Sequence, residues 1–354
     1  MKYAELFAGI GGFGMGFKAL GGECVYANEW DAHAALTYEV NNAMKIDQRD
    51  VREVNADSVP DHDVLLAGFP CQTFSTAGIA AARGRPIGMA CPKRGRLFFE
   101  IVRITTAKRP QAVVMENVKN FVTFDKGRAL KTIRDAFEAL GYGLFYRVVD
   151  AIAWLPQRRK RVFMVALRHK KMFGLKVAMD TIYESADSVR LEGKPHHVLS
   201  SILHDPRERV DPPFTIRDRS SPEAWERQLT VVHPKYTLSD KAWAGIRRRK
   251  VNYAETSGGF GYNLVGPEDC AATLLARYGK EPAEILLRQE GKNPRKLTPR
   301  ECLRLMGFPR NVDWPEYDDV FILHGSDAKN YRAIGNAVCP PVSKAVAATV
   351  LQAL

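Results

Sequence analysis

Four short segments carry side chains suited to nucleoside binding or covalent chemistry. In Glu5-Leu6-Phe7-Ala8-Gly9-Ile10-Gly11-Gly12-Phe13-Gly14, the residues Gly9, Gly11 and Gly14 have GxGxxG spacing, behind an apolar run and ahead of a helical pattern. Such glycines allow a tight turn and let a ligand approach the backbone closely. Glu29 lies 20 residues after Gly9, at the end of the next apolar run, where a carboxylate accepts hydrogen bonds from ribose hydroxyls. Trp30 beside it offers a ring to pack on adenine, and Asp50 falls where a third strand or its loop would end. Alone, these residues specify a nucleoside cofactor, and NAD and S-adenosylmethionine both fit. The second segment, residues 64–75, is an apolar run entering a Gly/Pro loop that presents Cys71. A cysteine at the carboxyl end of a strand in an open α/β sheet lines the ligand crevice, and its thiolate is a nucleophile. The third, Val113-Val114-Met115-Glu116-Asn117-Val118, ends a strand on a carboxyl group able to act as an acid or to hydrogen-bond a ring nitrogen. The fourth is Gln157-Arg158-Arg159-Lys160-Arg161. On an extended chain Gln157, Arg159 and Arg161 share one face, suited to phosphate or a base oxygen.

The elements that must position these groups follow from periodicity. Apolar runs at 3–7, 23–27, 63–67, 112–116, 145–150 and 161–167 read as strands. Leu130, Ile133, Phe137 and Leu140 share one helical face ahead of Gly141, a natural helix stop. Strands alternating with helices predict βαβ units and a parallel sheet. From about 170 to 295 the pattern turns irregular and more basic, with Arg247-Arg248-Arg249-Lys250 its sharpest cluster. Order returns where Thr298-Pro299-Arg300-Glu301 supplies an N-cap, a Pro at the first helical position and a Glu at the third. A last helix is expected from about 341 to 351. The whole chain, 354 residues with 52 Lys and Arg against 40 Asp and Glu, carries a formal charge of +12 and suits a polyanionic partner. The six cysteines are too dispersed for zinc-ligand spacing and read as reduced thiols. The uncharged stretch 64–82 is a poor membrane span because Gly68, Pro70, Gln72, Ser75 and Gly78 interrupt it, and no signal peptide is evident. A soluble, cytoplasmic protein is expected.

Taken in order, the four segments resemble the DNA (cytosine-5) methyltransferase family, of the bacterial type II modification kind. Further segments are similar to that family: Arg94-Gly95-Arg96-Leu97-Phe98-Phe99-Glu100, then 296–301 with Met306-Gly307-Phe308-Pro309, and Tyr331-Arg332-Ala333-Ile334-Gly335-Asn336-Ala337-Val338. The resemblance implies a doubly wound, Rossmann-like α/β domain dependent on S-adenosylmethionine, with a small irregular target-recognition domain inserted in it. The expected boundaries are 1–190 plus 325–354 for the catalytic domain and 191–324 for the small one. It implies that Phe7, Gly9, Ile10 and Gly11 hold the methionine end of the donor. Glu29 would take the ribose, Trp30 the adenine face, and Asp50 with Val51 the adenine edge. Pro70, Leu97, Asn336 and Ala337 would complete the wall. Cys71 becomes the nucleophile, with Glu116, Arg159 and Arg161 holding the target cytosine. The basic loop after Cys71 supplies Arg83, Arg85 and Arg94 as phosphate contacts, and Thr273-Leu274 with Arg277 match the recognition region.

The implied substrate is double-stranded DNA, and the implied context is a restriction–modification pair whose endonuclease shares the site without a stable complex; a monomer is expected. Competing readings remain at this level. An RNA methyltransferase of the same fold would carry a Cys-Phe-Thr string in the small domain, and this sequence has none. A non-catalytic DNA-binding subunit would lack Cys71, Glu116 or the glycine turn. A nicotinamide dehydrogenase leaves residues 68–75 and 157–161 unexplained. Asp211-Pro212-Pro213-Phe214 matches the active-site string of amino-group methyltransferases, but it follows a charged stretch rather than a core strand.

Overall fold

The computed structural model describes residues 1–70, 97–168, 180, 197–255, 262–309 and 321–354. Its centre is a six-stranded sheet in the order β2-β1-β3-β4-β6-β5. These strands are β1 (Lys2–Leu6), β2 (Glu23–Asn28), β3 (Val64–Ala67), β4 (Ala112–Val118), β5 (Tyr142–Asp150) and β6 (Lys160–Arg168). β3 is buried at every residue and β4 at all but its last, as expected for strands covered on both faces. Alternate residues serve the two faces. Tyr3, Val64, Leu66 and Val114 join a core with Phe13 and Phe17 of α1 (Gly12–Lys18). Leu6, Leu65, Ala67 and Met115 join another with Phe98 and Ile101 of α3 (Leu97–Lys108) and Phe137 of α4 (Arg128–Ala139). The doubly wound α/β arrangement implied by the resemblance is thus present.

One expectation fails. β1, β2, β3 and β4 are mutually parallel, but β6 runs antiparallel between β4 and β5. The cause is the link from Asp150 to Lys160, which holds only a short turn of 3₁₀ helix, whereas a parallel return needs a crossover of about a dozen residues or more. The turn instead folds β6 back along β5 as a long hairpin.

The irregular middle of the sequence forms smaller units. β7 (Thr215–Arg217) pairs with β8 (Thr230–Val232), flanking α5 (Pro222–Glu226). β9 (Leu264–Val265), β10 (Leu286–Gln289) and β11 (Lys292–Arg295) make a three-stranded sheet, beside which α6 (Asp240–Glu255) packs. The predicted capping box opens α7 (Pro299–Leu305): Thr298 Oγ1 accepts from Glu301 N at 3.0 Å while the Glu301 carboxylate accepts from Thr298 N at 2.8 Å. Glu301 is fully buried and also takes a two-pronged contact from Arg295 at 2.7 Å on both arms. The Asp211 string lies in a turn, with Asp211 paired to Arg300, so it is not at the end of a buried strand. The chain then returns to the main sheet through α2's neighbour α8 (Asp327–Asn336) and α9 (Pro340–Ala353), where α2 is Ala32–Asn42. His33 of α2 meets Asn330 of α8 at 3.1 Å, and Ser343 Oγ of α9 donates to Phe13 O of α1 at 2.6 Å. The stretch 327–353 has the length and apolarity of a membrane span, but two thirds of its apolar window is buried in the protein.

Candidate functional site

The parallel strands β1 and β3 stop in step, and β4 runs three residues beyond them to Val118. Leu6 pairs with Ala67, and Ala67 with Met115, so the chain leaves all three at one edge. That edge, the carboxyl end of an open α/β sheet, is where such folds bind ligands. Past Leu6, Phe7 adopts φ +57°, a left-handed conformation costly for a bulky residue and typical of functional turns. Gly11, at φ +92°, then caps α1. Glu29, at the end of β2, braces this turn: Oε2 accepts from Gly9 N at 2.9 Å and Oε1 from Asp31 N at 2.8 Å. Burial pushes its carboxyl above the usual range, and Asp31 adds to the rise.

Asp50 is placed by a different route from the one expected. No third strand leads to it; a single bridge between Asn28 and Asp47 brings the loop alongside β2. Asn28 Nδ2 secures this loop by donating to Asp47 O and Arg49 O, both at 2.9 Å. Asp50 then caps a turn of 3₁₀ helix, Val51–Glu53, whose Val51 O accepts from Arg103 of α3 at 2.9 Å.

Between these elements lies a cleft of about 390 Å³. Phe7, Glu29, Trp30, Asp50, Val51, Pro70 and Leu97 line it, all expected there from sequence. Trp30 is 68% exposed, an indole presented at the surface rather than packed away. A carboxylate with lone pairs to spare beside a bare aromatic face suits a ribose and a flat base. The residues therefore fit a nucleoside-type methyl donor. Gly9 and Gly11 shape the turn; Ile10 and Ala337 are buried, and Asn336 is exposed at the end of α8. Two lining residues escaped the sequence reading: Asn28, hidden inside an ordinary strand pattern, and Arg52, whose signal was its two-residue spacing from Asp50.

A further unread residue is Glu5, buried in β1. Its Oε1 accepts from Gly14 N at 3.1 Å, and Tyr38 OH donates to Oε2 at 3.5 Å. Any side chain at position 14 would put a Cβ 2.4 Å from Oε2, so the third glycine of the motif makes room for this carboxyl rather than for a ligand. Burial pushes Glu5 up to about 8.

Beside this cleft edge, Glu116 sits on β4 with only 9% of its surface exposed. Arg161 Nε is 3.2 Å from its Oε1. Burial raises the carboxyl, opposed by the charges of Arg161 and Arg159. A void the size of one water molecule adjoins it, lined also by Val338 and Cys339. The chain leaving β3 is tied to the end of β4, since Asn117 Nδ2 donates to Phe69 O at 3.2 Å. Cys71, Arg83, Arg85 and Arg94 lie outside the described residues; Pro70, next to Cys71 in sequence, lines the cleft.

The shared face expected of Gln157, Arg159 and Arg161 is divided by use. Gln157 is fully buried, donating to Leu305 O at 3.0 Å and accepting from Leu274 N at 2.8 Å. Arg159, expected to grip the base, instead donates to Leu274 O, Gly335 O and Ala337 O at 2.8–3.0 Å. Three carbonyls that have ended their own hydrogen-bond ladders need such a donor. Leu274, expected at the DNA surface, is fully buried because its backbone is pinned on both sides by Gln157 and Arg159. Thr273 Oγ1 donates to Arg158 O, and Arg277 pairs with Glu281 and Glu284 at 3.1 Å.

A mixed sheet with this nucleoside-sized cleft at its carboxyl edge defines a Rossmann-like, nucleoside-binding fold. The C-5 cytosine-specific DNA methylase model matches residues 1–352. Over 358 residues the chain is 37% identical to the type II methyltransferase M.NlaX of Neisseria lactamica, covering all of this chain and 97% of that one. It is 36% identical to M.DsaV of Dactylococcopsis salina, covering 99% and 86% respectively. In fold it resembles the solved S. pombe Dnmt2 methyltransferase, with a TM-score of 0.65 at 17% identity, covering 100% of this chain and 98% of that one. The chain belongs to the C-5 cytosine-specific DNA methylase family. Membership implies a methyl donor of the S-adenosylmethionine type and a DNA substrate, and it sets aside the dehydrogenase and the amino-group methyltransferase readings.

Proposed function

We propose that the protein methylates C5 of a cytosine flipped out of a specific site in double-stranded DNA, with S-adenosylmethionine as donor. The observation that carries this reading is Glu116, buried and paired with Arg161 at the edge of the sheet that also bears the nucleoside-sized cleft. When bound, the donor supplies an electrophilic methyl group. Glu29 has lone pairs left for the ribose hydroxyls, Trp30 would pack on the base, and Asp50 would accept from its amino group. C5 of cytosine is a poor nucleophile. Attack of the Cys71 thiolate on C6 makes the ring an enamine whose C5 takes the methyl group; loss of the C5 proton then expels the sulfur. Negative charge grows toward N3, where the Glu116 carboxyl, whose protonated form burial favours, donates a hydrogen bond. Arg161 orients that carboxyl, and Arg159 builds the wall behind it. The target base is unreachable inside a stacked duplex, so extrusion costs roughly a few kcal/mol.

The small sheets and the segment 191–324 form the target-recognition part, and 1–190 with 325–354 the catalytic part. The protein works as a cytoplasmic monomer, as the modification half of a restriction–modification pair. Duplex carrying 5-fluorocytosine in the correct site blocks the proton loss and is expected to trap a denaturation-resistant protein–DNA adduct. Cys71→Ala is expected to abolish both adduct and methylation; methylation by that variant would refute the mechanism. Bisulfite sequencing of DNA from expressing cells identifies the site.

A further inference from the structure

Residues 47–52 contain two Asp-x-Arg forks in succession. Arg49 Nε and Nη2 reach the two Asp47 oxygens at 3.0 and 2.6 Å, and Arg52 Nε and Nη2 reach those of Asp50 at 2.9 and 2.5 Å. The chemistry is identical but the location differs, because Arg52 and Asp50 line the cleft and the first fork does not. Asp50 is held from three directions: by its own cap to Arg52 N at 3.1 Å, by the guanidinium, and through Val51, which Arg103 anchors. Arg52 is half-exposed, so a salt bridge there has little worth for stability. Its position at the cleft calls for another use.

We propose that Arg52 is a positioning residue for the methyl donor, acting through Asp50 to select an amino-bearing purine over a 6-oxo purine. The inference rests on the reading of this cleft as the adenosine site. A two-pronged guanidinium fixes the plane of the carboxylate before ligand arrives, so no ordering cost falls on binding. It also fixes the charge state: the hydrogen bonds from Arg52 hold the Asp50 carboxyl below the ordinary carboxylate range. Glu53 and Glu100 are the acids facing Arg52 from its own turn and from α3, and both favour its cationic form. A carboxylate locked as an acceptor welcomes an exocyclic amino donor and repels a carbonyl oxygen at the same place. Freed from Arg52, it would rotate and lose that discrimination.

Calorimetric titration with S-adenosylhomocysteine and S-inosylhomocysteine, which differ in that ring substituent and in the proton the 6-oxo ring carries on N1, tests this without turnover. The unaltered protein is expected to favour the adenosyl ligand by at least about tenfold. Arg52→Ala is expected to shrink that preference about fivefold or more, with Arg52→Lys between the two, since an ammonium restores charge but not the fork. Arg49→Ala, removing the twin fork outside the cleft, is expected to leave the preference intact. An unchanged preference in Arg52→Ala, or an equal change in Arg49→Ala, overturns the inference. Trp30→Ala separates the premise: it is expected to weaken both ligands alike, and if it weakens neither, the cleft reading itself falls.

Discussion

Glu5 shows how a single buried carboxyl can dominate its neighbourhood. It lies among Gly14 N, Tyr38 OH, Cys24 and Tyr3, with Glu29 adding repulsion, and its folded pKa of about 8 stands above the ordinary 4.5. The folded protein therefore holds this proton more tightly than the unfolded chain. Its stabilising effect is complete below pH 4.5 and is lost as pH rises toward 8, with a slope of up to about 1.4 kcal/mol per pH unit. Glu5→Gln keeps an acceptor for Gly14 N and removes the titration, so its denaturation midpoint is expected to vary less between pH 5 and 8. Parallel slopes in the two proteins would contradict the assignment. The sequence marked Gly14 as part of a ligand turn but gave no hint of Glu5, because a charged residue inside a strand pattern looks like an exposed one. Only the third dimension reveals that the glycine and the acid share one space. The carbonyl contacts of Arg159, a residue the sequence did single out, escaped for a related reason. Its three carbonyl partners lie 115 to 178 residues away, beyond the reach of any local pattern.

At the level of elements, local signals did well where they were chemically exact. The capping box at Thr298 was readable from four letters, and α7 begins there because two orphan backbone donors find partners at once. Thr298→Ala is expected to cost about 1–2 kcal/mol in urea denaturation, at the upper end because the cap is buried beside Glu301. A loss under about 0.5 kcal/mol would mean the Arg295–Glu301 pair sets the helix start by itself. Strand direction was less readable. The apolar run of β6 is the same whichever way it points, and only the brevity of its link to β5 betrays the hairpin. The hairpin is also what sets Arg161 against Glu116: β6 pairs with β4 so that Val118 faces Arg161 and Glu116 faces Phe163.

For the whole molecule, charge is the readable property. An excess of 12 positive charges in a family that acts on DNA predicts that phosphate neutralisation supplies much of the affinity. The logarithm of the binding constant is expected to fall linearly with that of salt concentration, by about 0.9 for each phosphate neutralised. A flat response would mean that the excess charge is solvated surface and not an interface. The sequence also located the irregular middle region correctly but could not resolve its small sheets, since their strands are two to four residues long and too short to show a period.

The seating of α9 on α1 joins residues that lie 330 positions apart, Phe13 and Ser343. Behind the glycine turn, then, one wall of the cradle is furnished by a helix translated some 330 residues later. While the ribosome is still working through the intervening residues, Phe13 and Phe17 lack the cover that α9 gives them, so the turn they support cannot settle until that distant helix has emerged.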